Sequence, residues 1–184
     1  YEEVQKAAVA AADQTVALAK LTPHRVMREL YEQFIAYARA YSEAIATYVP
    51  DDDYLAGVFM GATASLVYTC AAITYGSAQA RGPLIPAPAS PSEVSPLSDP
   101  ANPQRFLESA DSTCAEWDRL THQFHSDTQA WEAIDPEIPA SDWNPEQRAV
   151  MDDVIPLMNG QAEAIEKLGR SSSNPVLQDF AVFA

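Results

Sequence analysis

The sequence predicts an all-α fold: a helical bundle of four to five long helices, with a long proline-rich crossover loop and one disulfide. Three observations carry this reading. Apolar residues recur at steps of three and four almost throughout, the spacing of one face of a helix. Period-2 alternation rich in β-branched residues, which would mark strands, does not occur. Seven of the fourteen prolines fall between residues 83 and 103, separating two blocks of helical pattern. The 184 residues, 47% of them apolar, provide material for one ordinary domain, so residues 1–184 are expected to form a single bundle.

The first helix is expected over about residues 2–20. It is rich in alanine, the best helix former, with Val4, Ala8, Ala11, Thr15 and Leu18 on one stripe. Thr22-Pro23 reads as an N-cap followed by proline at the first helical position. The second helix then runs to about Val49, with Leu30, Phe34, Tyr37, Tyr41, Ile45 and Tyr48 on a single long stripe. Pro50 ends it, and Asp51, Asp52 and Asp53 open the next helix, where carboxylates offset the positive end of the helix dipole. A calcium loop at these aspartates lacks its turn glycine and its downstream bidentate glutamate.

Residues 54–80 carry no charge. The run is long enough to span a bilayer, and Gly57 and Gly61 have the spacing of closely packed membrane helices. It is diluted by Thr63, Ser65, Thr69 and Thr74 and by tyrosines, and no basic cluster flanks it. A buried helix at the centre of the bundle is therefore the expectation, with a transmembrane segment the alternative.

Gly82 closes this helix, and the proline-rich segment 83–103 is expected to cross the bundle surface in extended form. Asn102-Pro103 is expected to open the fourth helix. Trp117, Phe124 and Trp131 fall seven apart on it, as a bundle seam does. Asn144-Pro145, with Gln147, forms a capping box for the fifth helix, which should kink at Pro156 and end at Gly169. Pro175 starts a sixth helix over 175–184. Its Asp179–Ala184 resembles Gln33–Ala38 in pattern, and its apolar run stops in mid-pattern, so the native polypeptide is expected to be longer.

Charge narrows the function classes. The net charge is −15, which excludes a free-standing nucleic-acid binder and disfavours anionic lipid surfaces. Residues 1–49 hold five cations and six anions, residues 50–104 one cation and five anions, and residues 105–184 five cations and fifteen anions. The acidity thus belongs to the second half, a solvated surface or a face for a basic partner.

No phosphate loop, nucleophile elbow or other catalytic array is present, and neither an enzyme activity nor a cofactor is expected. Three constellations remain. Cys70 and Cys114 flank the proline-rich segment. A bridge between them would close a long loop, stabilise by about 4 kcal/mol in the chain-entropy picture, and imply an oxidising, extracytoplasmic compartment. Phe34, Tyr37, Tyr41, Tyr48 and Phe59 could line an apolar groove for a small molecule or lipid, or form ordinary core. Asp118, His122 and His125 share one helix face and could ligate a divalent metal, or form an exposed polar face.

The sequence is accordingly read as a non-enzymatic extracytoplasmic domain of a larger bacterial protein, with a membrane tether outside this segment as one option, that serves interaction or assembly with a protein partner or a second copy. The apolar carrier and the metal site are the alternatives.

Overall fold

In the computed structural model, which describes residues 2–82, 89, 94–96 and 98–183, every regular element is helical. The helices are α1 (Glu2–Leu21), α2 (Arg25–Ala44), α3 (Asp53–Thr74), α4 (Ser77–Arg81), α5 (Cys114–Glu132), α6 (Pro145–Ser171) and α7 (Pro175–Phe183). The described residues contain no strand. Where the sequence suggested one bundle, the chain divides into two compact units, Tyr1–Glu108 and Ser109–Ala184. Of the proline-rich crossover at 83–103, residues 83–88, 90–93 and 97 lie outside the described residues.

Helix α2 is the centre of the first unit. His24, rather than Thr22, caps it: the His24 ring nitrogen accepts from the Met27 amide at 3.4 Å, while the Thr22 hydroxyl donates back to the Leu18 carbonyl. One side of α2 meets α1 through a seam of small residues, with Ala12, Ala19, Ile35 and Ala38 essentially without solvent contact. Small side chains let two helix axes approach closely, and Ile35 is the bulk that fills the seam. The stripe expected on α1 is rotated: Val4 and Leu18 are about half exposed, and alanines face the partner. Another side of α2 meets α3, where the Phe59 ring packs edge-on against Phe34 at 6.0 Å and against Tyr41 at 5.9 Å.

The remaining side of α2 carries polar residues that are nonetheless buried: Glu29, Glu32 and Gln33. Their neighbour explains this. The irregular segment 98–108 has backbone groups with no ladder or helix to pair them, and buried backbone groups must find partners. Side chains of α2 supply them. Gln33 donates to the Gln104 carbonyl at 3.2 Å and accepts from the Phe106 amide at 2.9 Å. Arg28 donates to the Ser98 carbonyl, Arg39 to the Ala101 carbonyl, and the Tyr37 hydroxyl to the Leu107 carbonyl. Burial raises the Tyr37 pKa, against a smaller lowering by Arg105. Asn102-Pro103 therefore belongs to this strap, and the fourth long helix begins only at Cys114.

In the second unit α5 packs on α6 along the expected seam, with Trp117, Phe124 and Trp131 half-buried and Thr128 buried. The capping box at Asn144 forms as expected: its side chain accepts from the Gln147 amide at 2.8 Å, and Gln147 accepts from the Asn144 amide at 2.9 Å. Helix α7 docks on α6, burying Val176, Leu177 and Ala181.

Asp111 ties the entry of α5 to the turn between α6 and α7. It accepts from the Thr113 amide and hydroxyl and from the Ser172 hydroxyl, at 2.9, 2.6 and 2.8 Å. The Thr113 hydroxyl, the Thr113 amide and Ser172 hold its carboxyl below the usual value. With the folded pKa below the unfolded one, the carboxylate's stabilisation is fully present above the ordinary aspartate value and is lost as the pH falls from there through the lowered folded value. Asp111→Asn is expected to remove this part of the acid-side decline in melting temperature; parallel acid-side profiles for the two proteins would contradict it.

Candidate functional site

The two cysteines form no disulfide. Both are free thiols, Cys70 exposed on α3 and Cys114 half-buried at the start of α5. The expectation came from the entropy gained by closing a long loop. That gain says nothing of whether two Cβ positions meet the geometry a bridge requires.

The metal candidates lie on the exposed side of α5 but do not converge. His122 Nε2 is 3.4 Å from Asp118, with both side chains more than three-quarters exposed. His125 turns the other way, its Nδ1 3.0 Å from Glu132, which also accepts from Thr128. Among the described residues no group of three or more His, Cys, Asp and Glu is placed to hold a metal ion.

The aromatic stripe of α2 divides between two neighbours. Tyr37 packs on Phe106 at 6.2 Å, Phe34 and Tyr41 on Phe59, and Tyr48 lies beyond the helix end, 38% exposed. Of the five groove candidates, Phe34 lines a cleft. That cleft, of about 380 Å³, is bounded by Thr15, Tyr31, Phe34, Thr63, Leu66, Val67 and Cys70. A second cleft, of about 470 Å³ in the other unit, has Trp131, Ile138, Trp143 and Met151 in its walls.

The main surface feature is α3 itself. Pro50–Thr74 is the one stretch among the described residues long and apolar enough to cross a membrane, with a hydropathy of 1.6 over its most apolar window. The expectation of a buried central helix fails: only 11% of that window is buried. One stripe, including Phe59, Ala62 and Leu66, faces α2. The opposite stripe consists of Gly57, Met60, Gly61, Ala64, Val67 and Tyr68, all exposed. Met60 is 63% exposed and Tyr68 74%, and Tyr75 just beyond the helix is 86%. A side chain added at Gly57 or Gly61 would meet nothing within 4 Å. Absence of charge reveals that a helix is apolar and leaves open what covers it, so the sequence could not place this face.

These features define a protein whose described residues are helical and in which an uncharged helix is left uncovered along one side. The chain belongs to the family of mycobacterial ESX-1 associated proteins, which it matches over residues 1–184. It is similar to an uncharacterized protein of Mycolicibacterium smegmatis (strain MKD8), 48% identical over 181 residues, an alignment covering 98% of this chain and 48% of the relative. The chain thus spans about half the length of the curated relative it matches. No solved structure matches it.

Proposed function

We propose that this chain is a non-enzymatic interaction module of the mycobacterial ESX-1 secretion machinery, working outside the cytoplasm and docking a protein through the outward face of α3. The observation that carries this is the exposed apolar helix. Soluble proteins rarely leave such a contiguous apolar surface bare unless something binds it. Family membership supplies the setting. With Cys70 and Cys114 free, the extracytoplasmic placement rests on the ESX-1 association alone.

Tyr68→Glu tests the reading. A buried, unpaired carboxylate in a helix seam costs several kcal/mol of association, whereas at this exposed position it leaves the fold intact. In the mycobacterial host, a normally accumulating variant is expected to lose most ESX-1-dependent secretion. Undiminished secretion would contradict the proposal. Protease treatment of intact cells tests the compartment, with degradation expected.

The cleft beside Phe34 and Leu66 favours a second reading, an apolar small-molecule or lipid carrier, because its walls are aromatic and aliphatic. Saturable binding of a fluorescent fatty acid, weakened by Leu66→Trp, is the outcome that reading requires.

A further inference from the structure

We infer that the occupant of the outward face of α3 is α3 of a second copy of this chain, packed antiparallel about a two-fold axis at Ala64. The inference rests on α3 being the docking face and names what docks there.

The face has a heptad rhythm. Gly57, Ala64 and Ala71 recur at intervals of seven along its centre. Met60 and Val67 form one flank, and Gly61, Tyr68 and Tyr75 the other, each again seven apart. A seven-residue apolar repeat is the signature of a seam between two helices. Small residues at its centre let two backbones approach closely, and the space beside Gly57 and Gly61 is empty.

Self-complementarity selects the partner. An antiparallel copy centred on Ala64 sets Gly57 level with Ala71, so small faces small along the centre, while on the flanks Met60 stands level with Tyr68 and Gly61 leaves room for Val67. A partner must also bring no charge to a surface that offers none. Among the described helices long enough to lie along it, α3 alone is uncharged beyond its first turn. Orientation follows from the ends. Asp51, Asp52 and Asp53 precede the helix, and Arg81, the only cation between residues 50 and 104, follows it on α4. An antiparallel pair brings the acidic end of one copy towards the end that leads to Arg81 in the other, whereas a parallel pair stacks six aspartates.

The area suffices. Tyr54, Met60, Val67, Tyr68 and Tyr75 are 57–86% exposed. With the glycines and alanines between them they offer on the order of 800 Å² per copy, the share one partner contributes to a stable interface of standard size.

A bilayer is the competing occupant, and α2 argues against it. α2 packs along α3 and carries Arg25, Arg28, Glu29, Glu32, Arg39 and Glu43. Inserting α3 as it stands would carry those charges into hydrocarbon or require the two helices to separate.

Three measurements on the 184-residue chain decide the matter. Light scattering is expected to give the mass of two chains for the wild type and one for Ala64→Arg, with helicity unchanged by circular dichroism. In a Cys70→Ser, Cys114→Ser background, Ala64→Cys is expected to cross-link to a symmetric disulfide dimer on mild oxidation, and Leu18→Cys, exposed on α1, is not. Flotation with phosphatidylethanolamine–cardiolipin vesicles is expected to leave the protein behind. A monomeric wild type with no cross-link at position 64 overturns the self-pairing. If that monomer still binds an apolar fluorescent dye that Ala64→Arg abolishes, the docking face stands and only the identity of its occupant falls. Flotation of the wild type overturns both.

Discussion

Ile35→Ala is expected to destabilise the first unit by about 3 kcal/mol, within the range of roughly 2–5 kcal/mol for large-to-small changes at sealed core positions. The reason lies in the composition of the α1–α2 seam. Its other sealed residues are Ala12, Ala19 and Ala38, which have nothing to extend into a vacated space. Ile35 and Thr128 are the largest side chains with no solvent contact, and Ile35 alone of the two is aliphatic. Because α1 is alanine-rich, its helix is cheap to form, but its attachment leans on Ile35, the one large aliphatic side chain sealed in the seam, with Val16, Tyr31, Phe34 and Phe59 partly buried around it. Denaturant unfolding followed by far-ultraviolet circular dichroism measures the loss. Ile35→Val, which removes one methylene, should cost only about 1 kcal/mol. A loss below about 1 kcal/mol for the alanine variant would show that the seam collapses around the cavity, contrary to expectation.

Gly169→Ala sets two effects of opposite sign against each other. Helix propensity alone favours alanine inside α6 by roughly 1 kcal/mol. Packing opposes it: the new Cβ would stand 2.0 Å from the Cβ of Ala181 on α7, with the Ala181 Cα and the Leu177 carbonyl also in reach. Neither atom of that clash can rotate away, because each Cβ is fixed to its backbone. The helices must separate, and overpacking of this kind costs about 1–3 kcal/mol. The described part of α7, Pro175–Phe183, is held by its docking on α6. The expected result is therefore destabilisation of the second unit by about 2 kcal/mol, with amides of 175–183 losing protection from hydrogen exchange. A rise in melting temperature would mean that propensity wins and that α7 does not dock as described.

Much of the helical layout was legible because it is written in local chemistry. The alanine run of α1, the Asn144–Gln147 capping box and Pro175 all punctuate the chain where the structure does, whereas α2 ends at Ala44, short of the Val49 expected from Pro50. What escaped depends on partners distant in sequence. The Tyr37 and Tyr41 stripe was visible, but Ile35 and Ala38, on the neighbouring face, were not, since an alanine seam has no apolar contrast to detect. Glu29, Glu32 and Gln33 are charged or polar and yet buried, and Gln33 pairs with the strap 98–108, a partner that no local spacing announces. The same asymmetry governs the candidate site. Gly57, Gly61 and the uncharged run around them were recognised, yet their role was assigned to the core. In the structure the charged helix α2 takes the centre and the uncharged helix α3 the surface. The cysteine pair misled for a related reason: spacing along the chain measures the entropy of a loop and not the distance across it.

The central claim is that the outward face of α3 is held against protein. Site-specific photo-crosslinking in living mycobacterial cells tests it most directly, with a benzophenone amino acid in place of Tyr68 and, as control, in place of Leu21 at the exposed end of α1. The predicted result is a protein adduct at position 68 and none at position 21. Adducts at 68 with lipid alone, or with nothing but water, would contradict it.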